Sequence, residues 1–368
     1  MRLNSIFYVT AACLLTIAPG CDDDGTSVDS GPLELIGTWT DNFGGTTVIT
    51  ETSVNAATVV AFDNAENSLI LQNPADDPFF PSLFSKVVWT DVVTETGLRE
   101  HWQCTIAFGA ATEAEAEATV DSANRTDLSG AGCGGFSWTG FRPALSIAGT
   151  WASNFGETLT FSPFVWGPAS VARFDDAARW VVTQNAADDA FSPNTFNRTL
   201  WTVVADGGFY TCSVAFGLAT VEEAVSDDST ADDTNPEVAG CGDFSWTRLS
   251  PPIAVAGDYT GANAADVTVT SFMWATYPLA GYDNTAAYAA VTESPTAPSP
   301  PNGVAIAPTY SRLKWQLLGD ELTYCIAETG LATSAEALGT AADGADQAPV
   351  APEPLTGCTD GPWTLTVK

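Results

Sequence analysis

The chain has 368 residues, carries 45 acidic against 12 basic side chains for a formal charge of -33, and contains one histidine, His101. That balance excludes nucleic acid as a partner, because phosphate binding needs clustered Lys and Arg. An apolar fraction of 45% with 12 tryptophans excludes a disordered acidic chain and points to folded domains with acidic, soluble surfaces.

Residues 1–20 differ from everything that follows. Arg2 supplies a positive start, Ile6 to Ala18 is a nearly unbroken apolar run, and "IAPGC" comes next. The run is too short for a bilayer, which needs ~20 residues. The stretch resembles a bacterial lipoprotein signal, which implies acylation of Cys21 as the mature N-terminus. An ordinary secretory signal cleaved nearby is the alternative, and it would leave Cys21 as a free thiol. The resemblance implies a lipid-anchored protein of a bacterial cell envelope, on the periplasmic side or at the surface, with the membrane as a partner through the N-terminal lipid. Residues 21–34, rich in Asp and Gly, then read as an acidic tether.

Beyond the tether the chain says the same thing three times, in the same order. "GTW" at Trp39 recurs at Trp151 and becomes "GDY" at Tyr259; "AFDN", "RFDD" and "GYDN" follow, then strands ending at Trp89, Trp201 and Trp315. "CTIAFGAAT", "CSVAFGLAT" and "CIAETGLAT" lead to "GCGGFSWT", "GCGDFSWT" and "GCTDGPWT". The repeats occupy 35–145, 146–252 and 253–368, and connections of a few residues predict a stiff row of domains. The third copy diverges, with "TESPTAPSPPNG" where the others have "QNPADD" and "QNAADD".

Within copy one, period-two patterning rich in Val, Thr and aromatics predicts strands near 36–42, 46–54, 57–62, 67–72, 83–92, 98–108 and 135–141. "FDNAEN" reads as a hairpin turn, its Asp and Asn as turn formers. One helix interrupts the strands: Thr112 with Glu115, Thr220 with Glu223 and Thr333 with Glu336 have capping-box spacing, and Ala-rich sequence predicts two or three helical turns after each. Two cysteines per copy predict structural disulfides Cys104–Cys133, Cys212–Cys241 and Cys325–Cys358, each worth ~3.5 kcal/mol in the chain-entropy model. The absence of CxxC and of a recurring histidine makes zinc the weaker reading.

Such a meander closes most simply into a barrel, which removes open edges. "IAGTWASNFGETLTF" resembles the first strand of calycin-type barrels, the avidin and lipocalin group. The resemblance implies an all-β chain of three tandem small antiparallel meander barrels, each with one short helix and one disulfide. It also implies a basic side chain stacked over the GxW tryptophan, for which Lys86, Arg198 and Arg312 share one position and Arg142, Arg248 and Lys368 follow the terminal Trp. The residues two and six after that tryptophan, Asp41 with Gly45 and Ser153 with Glu157, do not reproduce the avidin biotin-binding pattern.

No nucleophile elbow, phosphate loop or HExxH occurs, and His101 has no counterpart, so the chain reads as non-enzymatic. Cofactors are none, with calcium the one ion to weigh: Asp227, Asp228, Asp232 and Asp233 crowd an acidic stretch whose alternative is a solvated loop. Ligand candidates are Trp166 and Trp274, where copy one has Val54, together with Gln72, Asn73, Gln184 and Asn185; packing inside a core is the competing role for the tryptophans. Two functions follow. One is a set of tandem binding modules for a small molecule, a carbohydrate or a protein, with no obligate oligomer implied. The other is a disulfide-stapled structural spacer or adhesion protein of the envelope.

Overall fold

The computed structural model describes residues 31–205, 207–261, 266–293 and 308–339, and the backbone of 364–367. The apolar leader, Cys21, the proline-rich insert and Cys358 lie outside the described residues.

Copy one runs β1 (Gly37–Asp41), β2 (Thr46–Ile49), β3 (Ser53–Val54), β4 (Ala57–Asp63), β5 (Ser68–Gln72), β6 (Phe84–Trp89), β7 (Val93–Glu95), β8 (Leu98–Ala110), α1 (Glu113–Glu117) and β9 (Thr139–Pro143). Its nine-stranded sheet has the order β6-β5-β4-β3-β2-β1-β9-β8-β7, and β6 also pairs β8, bringing the curled sheet back on itself. Copy two runs β10 (Gly149–Ser153), β11 (Thr158–Phe161), β12 (Val165–Trp166), β13 (Ala169–Asp175), β14 (Trp180–Gln184), β15 (Phe196–Trp201), β16 (Phe209–Leu218), α2 (Val221–Ser226) and β17 (Thr247–Ser250). Copy three runs β18 (Gly257–Gly261), β19 (Val267–Val269), β20 (Met273–Trp274), β21 (Tyr277–Asp283), β22 (Tyr288–Glu293), β23 (Thr309–Leu318), β24 (Glu321–Leu331), α3 (Ser334–Leu338) and β25 (Thr364–Val367). Both are closed antiparallel barrels in simple meander order.

Most expected strands are present. The stretch 46–54 is two strands, because Thr50 folds back to bond Ser53. The expected strand 83–92 stops at Trp89, and the chain makes the extra β7–β8 hairpin before crossing back.

The opening aromatic of each copy is locked by one device. Trp39 Nε1 donates to Leu35 O (2.7 Å), Trp151 Nε1 to Ile147 O (2.9 Å), and the Tyr259 hydroxyl to Val255 O (3.1 Å). The preceding glycines Gly37, Gly149 and Gly257 have φ of +152°, +141° and +155°, a conformation that excludes a Cβ at low cost. Inward residues of alternate strand positions then fill the lumens: Trp39, Leu69 and Trp89 in copy one, Phe161, Trp166 and Trp201 in copy two, Tyr259, Trp274 and Trp315 in copy three.

On the outer wall the helices are capped at both ends. Thr112, Thr220 and Thr333 accept from Glu115 N, Glu223 N and Glu336 N; the predicted capping box is complete at Thr220 and Thr333, whereas Glu115 accepts from Ala111 N instead. The helices are only five or six residues long, shorter than expected, and a strand cation satisfies the carbonyls at the end of each. Lys86 donates to Glu117 O and Thr119 O, Arg198 to Ala224 O and Val225 O, and Arg312 to Glu336 O, Ala337 O and Gly339 O. Those contacts correct the expected stacking of these three cations over the GxW tryptophan. Arg198 lies instead over Trp180 and Arg312 over Tyr288, while Arg99, on β8, sits 4.4 Å above Trp39.

Cys104 bonds Cys133 and Cys212 bonds Cys241, and Cys325 is disulfide-bonded. Beside the first bridge, Trp138 is buried on the outer wall with its indole donating to Asn124 O; Trp246 donates to Asp232 O in the same way. Neighbouring domains touch. The β7–β8 hairpin of copy one reaches copy two through Gly97 O, which accepts from Phe174 N, and Glu95, which pairs with Arg173. Arg142 donates to Pro163 O and Val171 O over the Phe164 ring, and Arg248 lies over Phe272.

Candidate functional site

In each barrel the first strand pairs with the last, Trp39 opposite Pro143 and Ala152 opposite Ser250. The chain therefore enters and leaves by the same end. The other end of copy one is built from the β1–β2 and β3–β4 turns, the β5–β6 loop, the tip of β8 and the segment leading into β9, by the registers Gln72 to Phe84 and Phe84 to Ala110.

That free end carries phenylalanines turned to solvent. Phe43 and Phe155, Phe79 and Phe191, Phe108 and Phe216, Phe136 and Phe244 are equivalent pairs in copies one and two, and their exposure runs from 64% to 94%. Single exposed apolar residues are ordinary, but a cluster repeated position for position at one end of two domains is not. Phe80 joins the set, its ring 6.3 Å from that of Phe108.

Phe43, Phe155, Phe79 and Phe191 are set on turns held by local polar side chains, while Phe108 and Phe216 stand near the ends of β8 and β16. The Asp41 carboxylate accepts from Phe43 N and Gly45 N, and the Ser153 hydroxyl from Phe155 N and Glu157 N. Asp77 accepts from Phe79 N and Phe80 N, and Asp189 from Phe191 N and Ser192 N. These two backbone donors hold the Asp189 carboxyl below its usual range. Phe136 and Phe244 exchange backbone hydrogen bonds with Cys133 and Cys241, so the disulfides fix them.

The ligand candidates read from sequence take other places. Gln72 donates to Ser82 O and Gln184 to Asn194 O, at 3.3 Å each; Asn73 donates to Phe80 O and Asn185 to Ser192 O. Their amides shape the loops that carry Phe79, Phe80 and Phe191. Trp166 stacks on Phe161 at 4.2 Å inside barrel two, and Trp274 is buried against Trp315 and Tyr324 inside barrel three. Both are lumen residues, a correction to the idea of a surface that varies between domains at this position. The Trp274 indole nitrogen is buried without a hydrogen-bond partner.

The acidic stretch does not converge. Asp227 accepts from Ser229 N and Asp232 from Thr234 N and Oγ1, each a local turn, and these Thr234 bonds lower the Asp232 pKa. Among the described residues no three His, Cys, Asp or Glu side chains gather in a metal-holding group, so Asp227, Asp228, Asp232 and Asp233 form no calcium cage.

Barrel one alone has an ionisable residue at the third position before its first disulfide cysteine: His101, where the others have Phe209 and Leu322. His101 is fully buried between Trp39 and Phe141, and burial with the nearby Arg99 lowers its pKa to about 3. Its Nε2 meets Gln103 Nε2 at 2.8 Å and its Nδ1 has no partner. Beside Gln103 a cleft of about 450 Å³ opens where β8 and the segment before β9 part.

The class defined by this fold and these ends is a tandem array of small meander β-barrels with aromatic loop tips. No family model matches the chain, and neither the curated proteins nor the solved structures contain a match.

The exposed rings were missed in sequence because an apolar residue inside an alternating run reads as a core position. The signal available was their place: each lies beside Asp, Ser, Gly or Cys turn residues, and copy three, whose one phenylalanine is Phe272, lacks all of them.

Proposed function

We propose that the protein is a non-catalytic binding protein of the cell envelope, tethered through a lipid on Cys21, that engages apolar ligand surfaces with the phenylalanine-bearing ends of its first two barrels. One observation carries this reading: the same exposed rings recur in both copies, on built turns and near the ends of equivalent strands. A ring left in water forfeits on the order of 2 kcal/mol relative to a buried one, so retaining several at one end twice favours a use for them. Two such ends on one chain raise the effective concentration for a partner with repeated apolar features. Lumens packed with tryptophan leave the loop tips as the contact surface. They also favour the second reading, in which the barrels serve as a spacer.

Site-specific photo-crosslinking in the host cells separates the two. With Phe136→p-benzoylphenylalanine or Phe244→p-benzoylphenylalanine, light should produce the same adduct from both positions, and none with the photoreactive group at Tyr277, an exposed site in copy three. Adducts absent from both ends would leave the spacer reading standing. Labelling with a palmitate analogue should follow the mature chain and disappear in Cys21→Ala; unchanged labelling would remove the anchor.

A further inference from the structure

We infer that the cleft at the free end of barrel one is a binding site for a small, uncharged aromatic molecule bearing one hydrogen-bond donor. The inference rests on the binding role proposed for the barrel ends and names a ligand class for one of them.

The cleft's volume, about 450 Å³, is in the range that encloses small organic ligands. Phe108, Phe136 and Ile106 give it apolar walls next to the Cys104–Cys133 bridge, and the rim rings are already exposed. Gln103 and Thr105 supply polarity on β8. The Gln103 amide is held at one atom by His101, itself fully buried with a second ring nitrogen unpartnered. That leaves the other polar atom of the amide for an incoming molecule, at a position the barrel core fixes.

Barrel two pairs the equivalent polar groups with one another. Thr211 replaces Gln103, and Ser213, at the position of Thr105, shares a 2.8 Å hydrogen bond with Thr199. In barrel one the residue across from Thr105 is Val87, which offers no such partner. Polar capacity spent internally in barrel two is thus left open in barrel one.

Charge sets the rest of the class. None of the residues lining the cleft is ionisable, its two cysteines being joined in a disulfide, and the chain's charge of -33 opposes anions. Aromatic faces meet the phenylalanine rings by stacking or edge contact. A donor on the ligand pairs with the amide oxygen of Gln103.

The probe is N-phenyl-1-naphthylamine, neutral, aromatic and carrying one N–H, titrated into residues 22–368 by fluorescence. The expected result is saturable binding of one probe per chain. It should weaken at least tenfold in Gln103→Met and in Phe136→Ser and stay unchanged in Phe244→Ser. The sulfonated relative 8-anilinonaphthalene-1-sulfonate should bind at least tenfold more weakly. Phe136 is largely exposed, so Phe136→Ser keeps the test valid if Gln103→Met misfolds. No saturable binding, or binding that both barrel-one variants leave intact, overturns the site, and equal affinity for the sulfonate overturns its preference for neutral ligands. Equal weakening by Phe244→Ser would also overturn the cleft while leaving the wider role of the barrel ends in place, which the crosslinking tests separately.

Discussion

His101 sits where Phe209 and Leu322 fill the other two barrels, wedged between the rings of Trp39 and Phe141. Burial is the first cause of its lowered pKa, about 3, and Arg99 the second. The sign of the pH effect follows. The unfolded chain takes up a proton near pH 6.5 while the folded imidazole stays neutral down to about 3, so the stability held above pH 6.5 is lost as pH falls through that window. The slope for one proton is about 1.4 kcal/mol per pH unit. His101→Phe, which adopts the side chain of barrel two, should therefore lose less stability than the parent between pH 7 and pH 5. Urea midpoints measured on both proteins check this, and parallel pH profiles would contradict it. That His101 has no counterpart was visible in sequence; its position in the lumen was not, because only the register of β8 with β9 puts it opposite Phe141.

The short helices show how local and distant signals divide. A Thr-x-x-Glu spacing is read within one turn, and all three N-caps form as expected. Their C-termini depend on Lys86, Arg198 and Arg312, which lie 24 to 33 residues away in sequence; no local pattern reports a partner so remote. Removing Arg198 leaves two part-buried carbonyls, Ala224 O and Val225 O, without that donor. Arg198→Met should cost about 1.5–3 kcal/mol, and Thr220→Ala about 1 kcal/mol, both read as lowered thermal midpoints with unchanged far-ultraviolet dichroism. Equal, negligible effects would mean that water serves these groups as well. Recurrent tryptophans divide in the same way. Trp89 and Trp138 both repeat and both look like core, yet one fills a lumen and the other lies under the crossing loop beside the disulfide. Periodicity gave burial without saying which side of the wall.

Across the molecule, the three-copy pattern made the barrels and the first two disulfides legible, since repetition cuts the number of possible pairings that six cysteines allow; the expected partner of Cys325, Cys358, lies outside the described residues. The junctions were less so. Gly97, with φ of +69°, packs so that a Cβ would come within 2.3 Å of the Trp180 ring, which makes the β7–β8 hairpin a close clasp on the second barrel. Gly97→Val should unseat it, raising cleavage between residues 93 and 98 in limited proteolysis while each barrel keeps its near-ultraviolet dichroism; an unchanged cleavage rate would mean the clasp is incidental. The distribution of exposed phenylalanines is likewise a property of the whole chain, with two barrels bearing them at their free ends and the third without them. The most direct test is the affinity of residues 22–368 for host envelopes stripped of the native protein. The variant with Phe43, Phe136, Phe155 and Phe244 all changed to Ser should bind at least tenfold more weakly, while Trp166→Phe, a change inside a lumen, leaves affinity intact. Full affinity in the fourfold variant, or a loss confined to Trp166→Phe, would contradict the account.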